Sequence, residues 1–223
     1  MDWSTVTKAL LKFASTLVVA ILLLFLPAGT VHYLYGWLLL ALLFIPMAIL
    51  GLVLLIKNPE LLKRRLNTKE AEREQGIIAR LGGVLVVAGL ITAGLDFRFG
   101  WSGVPNWVVA VSSGGFIGGY ALWVIVLAEN PFLGRTIGVE EDQRLIDTGP
   151  YRYVRHPMYT ASIILFIALP LVLASWISFV IFLFYPLLMV YRISGEERFL
   201  RAQLAGYEEY CKRVQYRLIP FIW

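Results

Sequence analysis

Three long stretches of this chain contain no Asp, Glu, Lys or Arg, and they restrict it to a membrane fold. The stretches cover residues 13–56, 101–128 and 158–191. A helix of about 20 apolar residues spans the ~30 Å hydrocarbon core of a bilayer, so each stretch is long enough to cross. The chain is 59% hydrophobic and 16% charged, whereas soluble domains have roughly 25% charged residues. This pattern excludes a soluble enzyme, a coiled coil, a disordered chain and a disulfide-rich secreted fold.

Hydropathy predicts an all-α, polytopic membrane bundle of about six transmembrane helices. Four spans are expected at about 12–28, 36–57, 77–96 and 106–128. The last apolar stretch would be about 51 Å long as one helix, which is enough for two short crossings. We interpret it as a helical hairpin that turns near residues 174–176, with Pro170 and Pro186 bending its arms. A cytosolic helix is predicted after it, over about residues 195–214.

The distribution of positive charge predicts the orientation of these spans. Of the 20 Lys and Arg residues, all but Arg98 fall in segments on one side of the predicted bundle. The positive-inside rule then places both termini and the chemically rich segments in the cytosol. Residues 58–76 form either an interfacial amphipathic helix or a solvated linker. We expect residues 1–128 to form the N-terminal transmembrane region and residues 129–223 the catalytic region.

Side chains suited to ligand binding or catalysis are concentrated in two stretches, residues 129–159 and 192–217, which flank the hairpin. Because the two arms of a hairpin start and finish on the same side, Arg155 and His156 should lie near Arg192, Glu196 and Glu197. Arg155 can make a bidentate contact with a carboxylate or phosphate. Two adjacent carboxylates opposite an Arg–His pair can hold a cationic ligand between them.

Each feature also has a plain structural interpretation. The arginines serve as positive-inside anchors and the tyrosines form an aromatic belt. The glutamates belong to a solvated helix face on which Glu197 pairs with Arg201 at i,i+4. Four glycines in the fourth span, Gly114, Gly115, Gly118 and Gly119, indicate close packing against another helix.

The order and spacing of these motifs carry a resemblance. The chain resembles the isoprenylcysteine carboxyl methyltransferase and phospholipid methyltransferase superfamily of integral membrane enzymes, over about residues 129–220. The residues that carry it are Gly149-Pro150-Tyr151, Arg155-His156-Pro157-Met158-Tyr159, the hydrophobic hairpin, and Arg192 with Glu196-Glu197 and Tyr207.

The resemblance implies S-adenosyl-L-methionine as cofactor, bound at the cytosolic side. The residues expected to contact it are Gln143, Arg144, Leu145, Ile146, Tyr151, His156, Pro157, Met158, Tyr159 and Glu196. By similarity Arg192 contacts the acceptor, and Arg192, His156 and Glu196 are the expected catalytic residues, without a metal. The acceptor is expected to be a lipidic or small hydrophobic molecule from the bilayer. Carboxyl O-methylation is favoured, while N- and S-methylation remain open; a nucleic-acid partner is not expected.

Two other functions remain as alternatives. Membrane sterol and enone reductases that use NADPH resemble this chain in the same hairpin and its flanking Arg, His and Tyr residues. A non-enzymatic scaffold or small transporter is the other, although spans without internal charge argue against ion translocation. A soluble Rossmann-type methyltransferase is excluded because the chain lacks a Gly-x-Gly-x-x-Gly unit.

Overall fold

The computed structural model describes residues 3–66, 73–134 and 143–223, and every regular element within these ranges is helical. The predicted all-α membrane bundle is therefore confirmed. The elements are α1 (Trp3–Ala28), α2 (Leu34–Lys57), α3 (Pro59–Leu66), α4 (Arg73–Phe99), α5 (Asn106–Glu129), a 3₁₀ helix (Gly149–Arg152), α6 (Pro157–Val172), α7 (Trp176–Phe182), α8 (Phe184–Gln203) and α9 (Tyr207–Arg213).

Five helical segments in the described part of the chain are long and apolar enough to cross a membrane. They are Trp3–Ala28, Leu34–Lys57, Gln75–Phe99, Asn106–Glu129 and the combined α7–α8 segment Trp176–Gln203. The remaining one of the six predicted crossings is α6, which has only 16 residues and is about 24 Å long. The bundle thus has five full-length crossing helices and one short arm, and the protein is an integral membrane protein.

The predicted hairpin is present, with its turn at residues 173–175. Helix α6 begins at Pro157, where a missing N–H costs no helical hydrogen bond. Ala174 adopts a positive φ of 57°, and the Ser175 side chain caps α7 by accepting a hydrogen bond from the Ser178 N–H at 3.1 Å. Pro186 has no N–H to donate to the Phe182 carbonyl, which explains the break between α7 and α8.

A buried carboxylate joins three segments at this end of the bundle, which we call the turn end. Asp96 of α4 is 2% exposed. Its carboxylate accepts hydrogen bonds from the Ser102 N–H at 2.7 Å and from the Ser102 and Ser175 hydroxyls at 2.5 Å. The α4–α5 connection and the hairpin turn are thereby held against α4.

Close packing of α5 involves one of the four predicted glycines. A Cβ at Gly119 would lie 2.9 Å from the Ile164 Cγ2 of α6, whereas a Cβ at Gly114, Gly115 or Gly118 would meet no atom within 4 Å. Helix α6 is therefore the partner of α5, and the other three glycines do not serve that contact.

The C-terminal part of the chain differs from the prediction. The predicted helix over residues 195–214 is wrong, because α8 continues without interruption from the hairpin to Gln203. Gly206 then turns the chain with φ 79° and begins α9. Arg192 and Glu196 consequently lie on one continuous helix.

The predicted linker 58–76 contains α3, whose basic side chains contact α5 and the segment after it. Arg64 donates a hydrogen bond to the Pro131 carbonyl at 2.6 Å, and the Arg65 guanidinium lies 4.8 Å from the centre of the Trp123 ring. The part of the linker over residues 67–72 lies outside the described residues.

Candidate active site

The hairpin brings the two chemically rich stretches together, at the end of the bundle opposite the turn. We call this the site end and define it by the N-terminus of α6 and the C-terminal half of α8. The direct contact is between Arg155 and Glu197, 42 positions apart in sequence, whose Nε and Oε1 atoms are 2.7 Å apart. Residues that the sequence predicted to be neighbours are neighbours in the structure.

Glu197 is the centre of a buried ionic network. Its side chain is 5% exposed and contacts Arg155 Nε at 2.7 Å, His156 Nε2 at 3.3 Å and Arg217 Nε at 3.1 Å. Burying a carboxylate is costly unless charged partners and hydrogen bonds replace water. Three partners surround Glu197, so its charge is balanced within the protein.

The backbone after α9 closes over this network, and we call residues 214–218 the C-terminal strap. The Arg155 guanidinium donates to the carbonyls of Val214 and Gln215 at 2.8 and 2.9 Å. The backbone N–H groups of Arg155 and His156 donate to the carbonyls of Tyr216 and Arg217, both at 2.9 Å. The strap thus holds the segment before α6 through both side-chain and backbone bonds.

A second polar chain runs between α6 and α8. The Tyr159 hydroxyl donates to Glu196 Oε2 at 2.5 Å and accepts from Arg192 Nε at 3.0 Å. Arg192 and Glu196 are one helical turn apart, so their side chains share a face of α8. We call Tyr159, Arg192 and Glu196 the polar triad; it presents a carboxylate, a guanidinium and an aromatic ring within one hydrogen-bonded group.

The two adjacent glutamates therefore face different surroundings. Glu196 belongs to the polar triad, whereas Glu197 faces the strap and its cations. The predicted site with one cation held between both carboxylates is not formed, because neighbouring residues on a helix point about 100° apart. The predicted Glu197–Arg201 pair is also not formed within the described part of the chain; Arg201 lies 4.0 Å from Glu208 instead.

The predicted cofactor residues before α6 lie beside α9. Leu145 packs against a buried cluster that includes Leu204, Tyr207 and Tyr210, and Asp147 pairs with Arg213 at 2.8 Å. Gln143 and Ile146 are partly buried, while Arg144 is exposed.

Tyr151 is buried and bonded at both ends. Its hydroxyl accepts from Asn130 Nδ2 at 3.0 Å, and its carbonyl accepts from the Tyr210 hydroxyl at 2.7 Å. Burial raises the pKa of Tyr151 well above its usual value, so the phenol stays neutral.

The remaining predicted cofactor residues lie around the N-terminus of α6. His156 and Pro157 are buried, Met158 and Tyr159 are partly buried. His156 Nε2 lies 3.3 Å from Glu197 Oε1, and its ring centre lies 5.8 Å from that of Tyr159. Its nearest acidic partner is therefore Glu197 of the ionic network. Among the described residues, no group of three or more His, Cys, Asp or Glu side chains is placed to hold a metal ion.

One polar residue at the site end was missed by the sequence analysis, which assigned no ligand contact to the first four spans. Gln75 of α4 is 1% exposed, and its amide lies against Gly195 of α8, where any Cβ would overlap it. The signal was a lone amide at the start of an apolar span. This signal could not identify Gln75 as a site residue, because nothing in the sequence shows that α4 packs against α8.

Comparison with known proteins supports the resemblance that the motifs indicated. Residues 107–205 match the phospholipid methyltransferase family model. This match confirms the predicted relation to the membrane methyltransferase superfamily. The matched region contains the whole hairpin, the polar triad and Glu197, whereas Gln75 and the strap lie outside it.

A second similarity comes from the mouse (Mus musculus). The chain is 33% identical over 91 residues to the murine Delta(14)-sterol reductase. This aligned segment covers 40% of this chain and 22% of the relative. The chain thus corresponds to a small part of that relative's length. The shared part is shorter than half of either protein.

Proposed function

We propose that this protein is an S-adenosyl-L-methionine-dependent membrane methyltransferase that acts on a lipidic or small hydrophobic acceptor. The observation that carries the proposal is the polar triad, because it places Arg192, Tyr159 and Glu196 in one hydrogen-bonded group inside the region that matches the family. A family of membrane methyltransferases supports the reaction type; the triad supplies the chemistry for it.

The residues of the site end fit the chemistry of the cofactor. S-Adenosyl-L-methionine carries a methyl group activated by a positive sulfonium, together with an ammonium and a carboxylate. A carboxylate such as Glu196 and an aromatic face such as Tyr159 attract cationic groups, and a guanidinium binds a carboxylate. Arg192 is buried, and Tyr159 and Glu196 are partly buried. This burial strengthens such interactions, because water screens them less.

The chain's own residues would mainly position the reactants. Tyr159 bonds to both Arg192 and Glu196, so it orients the guanidinium that is expected to hold the acceptor and the carboxylate that is expected to face the cofactor. In-line methyl transfer gains most from such alignment and from the exclusion of water. A carboxylate or thiolate acceptor needs no general base, so a site whose His156 is engaged with Glu197 favours O- or S-methylation over N-methylation.

We also propose that the site end faces the cytosol, because 19 of the 20 Lys and Arg residues flank the predicted spans on that side. The acceptor would then come from the bilayer between helices and meet the cofactor at the membrane surface.

A calorimetric titration of the detergent-purified protein with S-adenosylhomocysteine tests the proposal. We expect binding by the wild type, at least tenfold weaker binding by Glu196→Gln, and unchanged binding by Glu209→Gln. The last variant is a matched control because Glu209 is 70% exposed and its pairing with Lys212, at 3.8 Å, is a surface contact. Transfer of labelled methyl to a prenylcysteine acid, a phosphatidylethanolamine and an alkanethiol then identifies the acceptor atom.

A membrane reductase is the second candidate, favoured by the 33% identity to the mouse sterol reductase. It predicts binding of NADPH in the same titration. Binding of NADPH without binding of S-adenosylhomocysteine would refute the methyltransferase proposal.

A further inference from the structure

Gln75 is a buried amide without a partner. Within the described residues, neither its Nε2 nor its Oε1 atom makes a hydrogen bond, and the residue is 1% exposed. Buried amide groups in proteins are normally hydrogen-bonded, because each unpaired group loses its bond to water without replacement. An amide kept in this position therefore calls for an explanation other than packing.

The position of Gln75 connects it with the polar triad. Its amide rests on Gly195 of α8, and a side chain at 195 would overlap it. Positions 192 and 195 lie three residues apart, so Gly195 adjoins Arg192 on the surface of α8. The amide is thus delivered by α4 to the part of α8 that carries Arg192.

We propose that Gln75 binds the polar head of the acceptor and so selects acceptors that carry an oxygen-bearing group beside the methylated atom. An amide both donates and accepts hydrogen bonds, and it suits a carboxylate, ester or amide oxygen better than a bare thiol. The acceptor is favoured over the cofactor because Gln75 comes from the N-terminal spans and its amide rests on Gly195, which lies one turn from Arg192, the expected acceptor contact. This inference rests on the proposed function.

The variant Gln75→Met tests the inference without threatening the fold. Methionine has a similar length and no polar atoms, so it removes the unpaired amide and should leave the unfolding temperature equal or higher. With the best acceptor of the wild type, we expect KM to rise about fivefold, the size of one lost hydrogen bond. The dissociation constant of S-adenosylhomocysteine should change less than twofold.

Two further variants make the result specific. Ile78→Met is the matched control, because Ile78 is 4% exposed and lies one turn further along α4; its KM should equal that of the wild type. Gly195→Ala displaces the flexible end of Gln75, so it should raise KM in the wild type but add nothing to Gln75→Met.

The outcomes separate the two proposals. A wild type that neither binds S-adenosylhomocysteine nor transfers methyl refutes the proposed function and this inference with it. If the wild type is active, three results refute the inference alone. They are an unchanged KM in Gln75→Met, a lower unfolding temperature of this variant, or weaker binding of S-adenosylhomocysteine by it. A preference of the wild type for the alkanethiol also refutes it.

Discussion

Glu196 and Glu197 are adjacent in sequence, and we expect opposite consequences when each is replaced by glutamine. Glu197→Gln removes the carboxylate that pairs with Arg155, a side chain that is 6% exposed. Removing one member of a buried ion pair costs about 3–5 kcal/mol. Arg155 keeps the Val214 and Gln215 carbonyls, and glutamine keeps one accepting oxygen, so we expect the lower limit, about 3 kcal/mol.

For a chain of this size, a loss of about 3 kcal/mol corresponds to a fall of roughly 6–12 °C in the unfolding temperature. Thermal unfolding of the detergent-purified variant, followed by tryptophan fluorescence, measures it. Glu196 is only partly buried. The unfolding temperature of Glu196→Gln should therefore lie within about 2 °C of the wild-type value, since a surface-like substitution costs about 0.5 kcal/mol. Its defect should appear in the binding of S-adenosylhomocysteine.

The assignment of the two carboxylates would be refuted by the reverse result. If Glu197→Gln unfolds like the wild type and fails to bind S-adenosylhomocysteine, then the buried network is part of the ligand site. If Glu196→Gln unfolds early and binds normally, then the polar triad only holds α6 against α8.

Three further predictions concern parts of the molecule away from the polar triad. Gly119→Val should destabilise the protein by about 1–3 kcal/mol through its clash with Ile164. Gly115→Val should not, because a Cβ at position 115 meets no neighbour. Equal unfolding temperatures of the two variants would contradict the α5–α6 contact. Asp96→Asn should lower the unfolding temperature by leaving a serine hydroxyl unpaired, at about 1–3 kcal/mol, without changing S-adenosylhomocysteine binding at the opposite end. Burial raises the pKa of the Cys211 thiol, so less thiolate exists at neutral pH. Alkylation of Cys211 in the native protein should therefore be slower than alkylation of an exposed cysteine, and it should speed up on unfolding. Rapid labelling of the native protein would contradict this environment.

The membrane bundle and the meeting of the two polar stretches could be predicted from the sequence. Charge-free runs report on the bilayer directly, because an unpaired charge inside it is expensive. The hairpin then follows from the length of residues 158–191, which is too great for one crossing and sufficient for two. Arg155 and Glu197 meet because of that turn.

The division of roles within the site could not be predicted. Which of Glu196 and Glu197 faces the strap depends on the rotation of α8, and this rotation is set by packing against α6 and α4. The contact between Gln75 and Gly195 has the same origin, because two spans far apart in sequence meet only in the folded bundle. The helix end at Gln203 was missed because the apolar positions of residues 199–207 continue the helical spacing through the break.

The C-terminal strap makes completion of this site a late event in biosynthesis. The crossing helices of the described chain all precede residues 214–218, so the Arg155 guanidinium can obtain the Val214 and Gln215 carbonyls only after every crossing helix has been synthesised. The crossing helices do not need the strap in order to form, whereas the ionic network does. A chain interrupted within α9 would therefore be expected to reach the membrane with its helices in place and its site unformed.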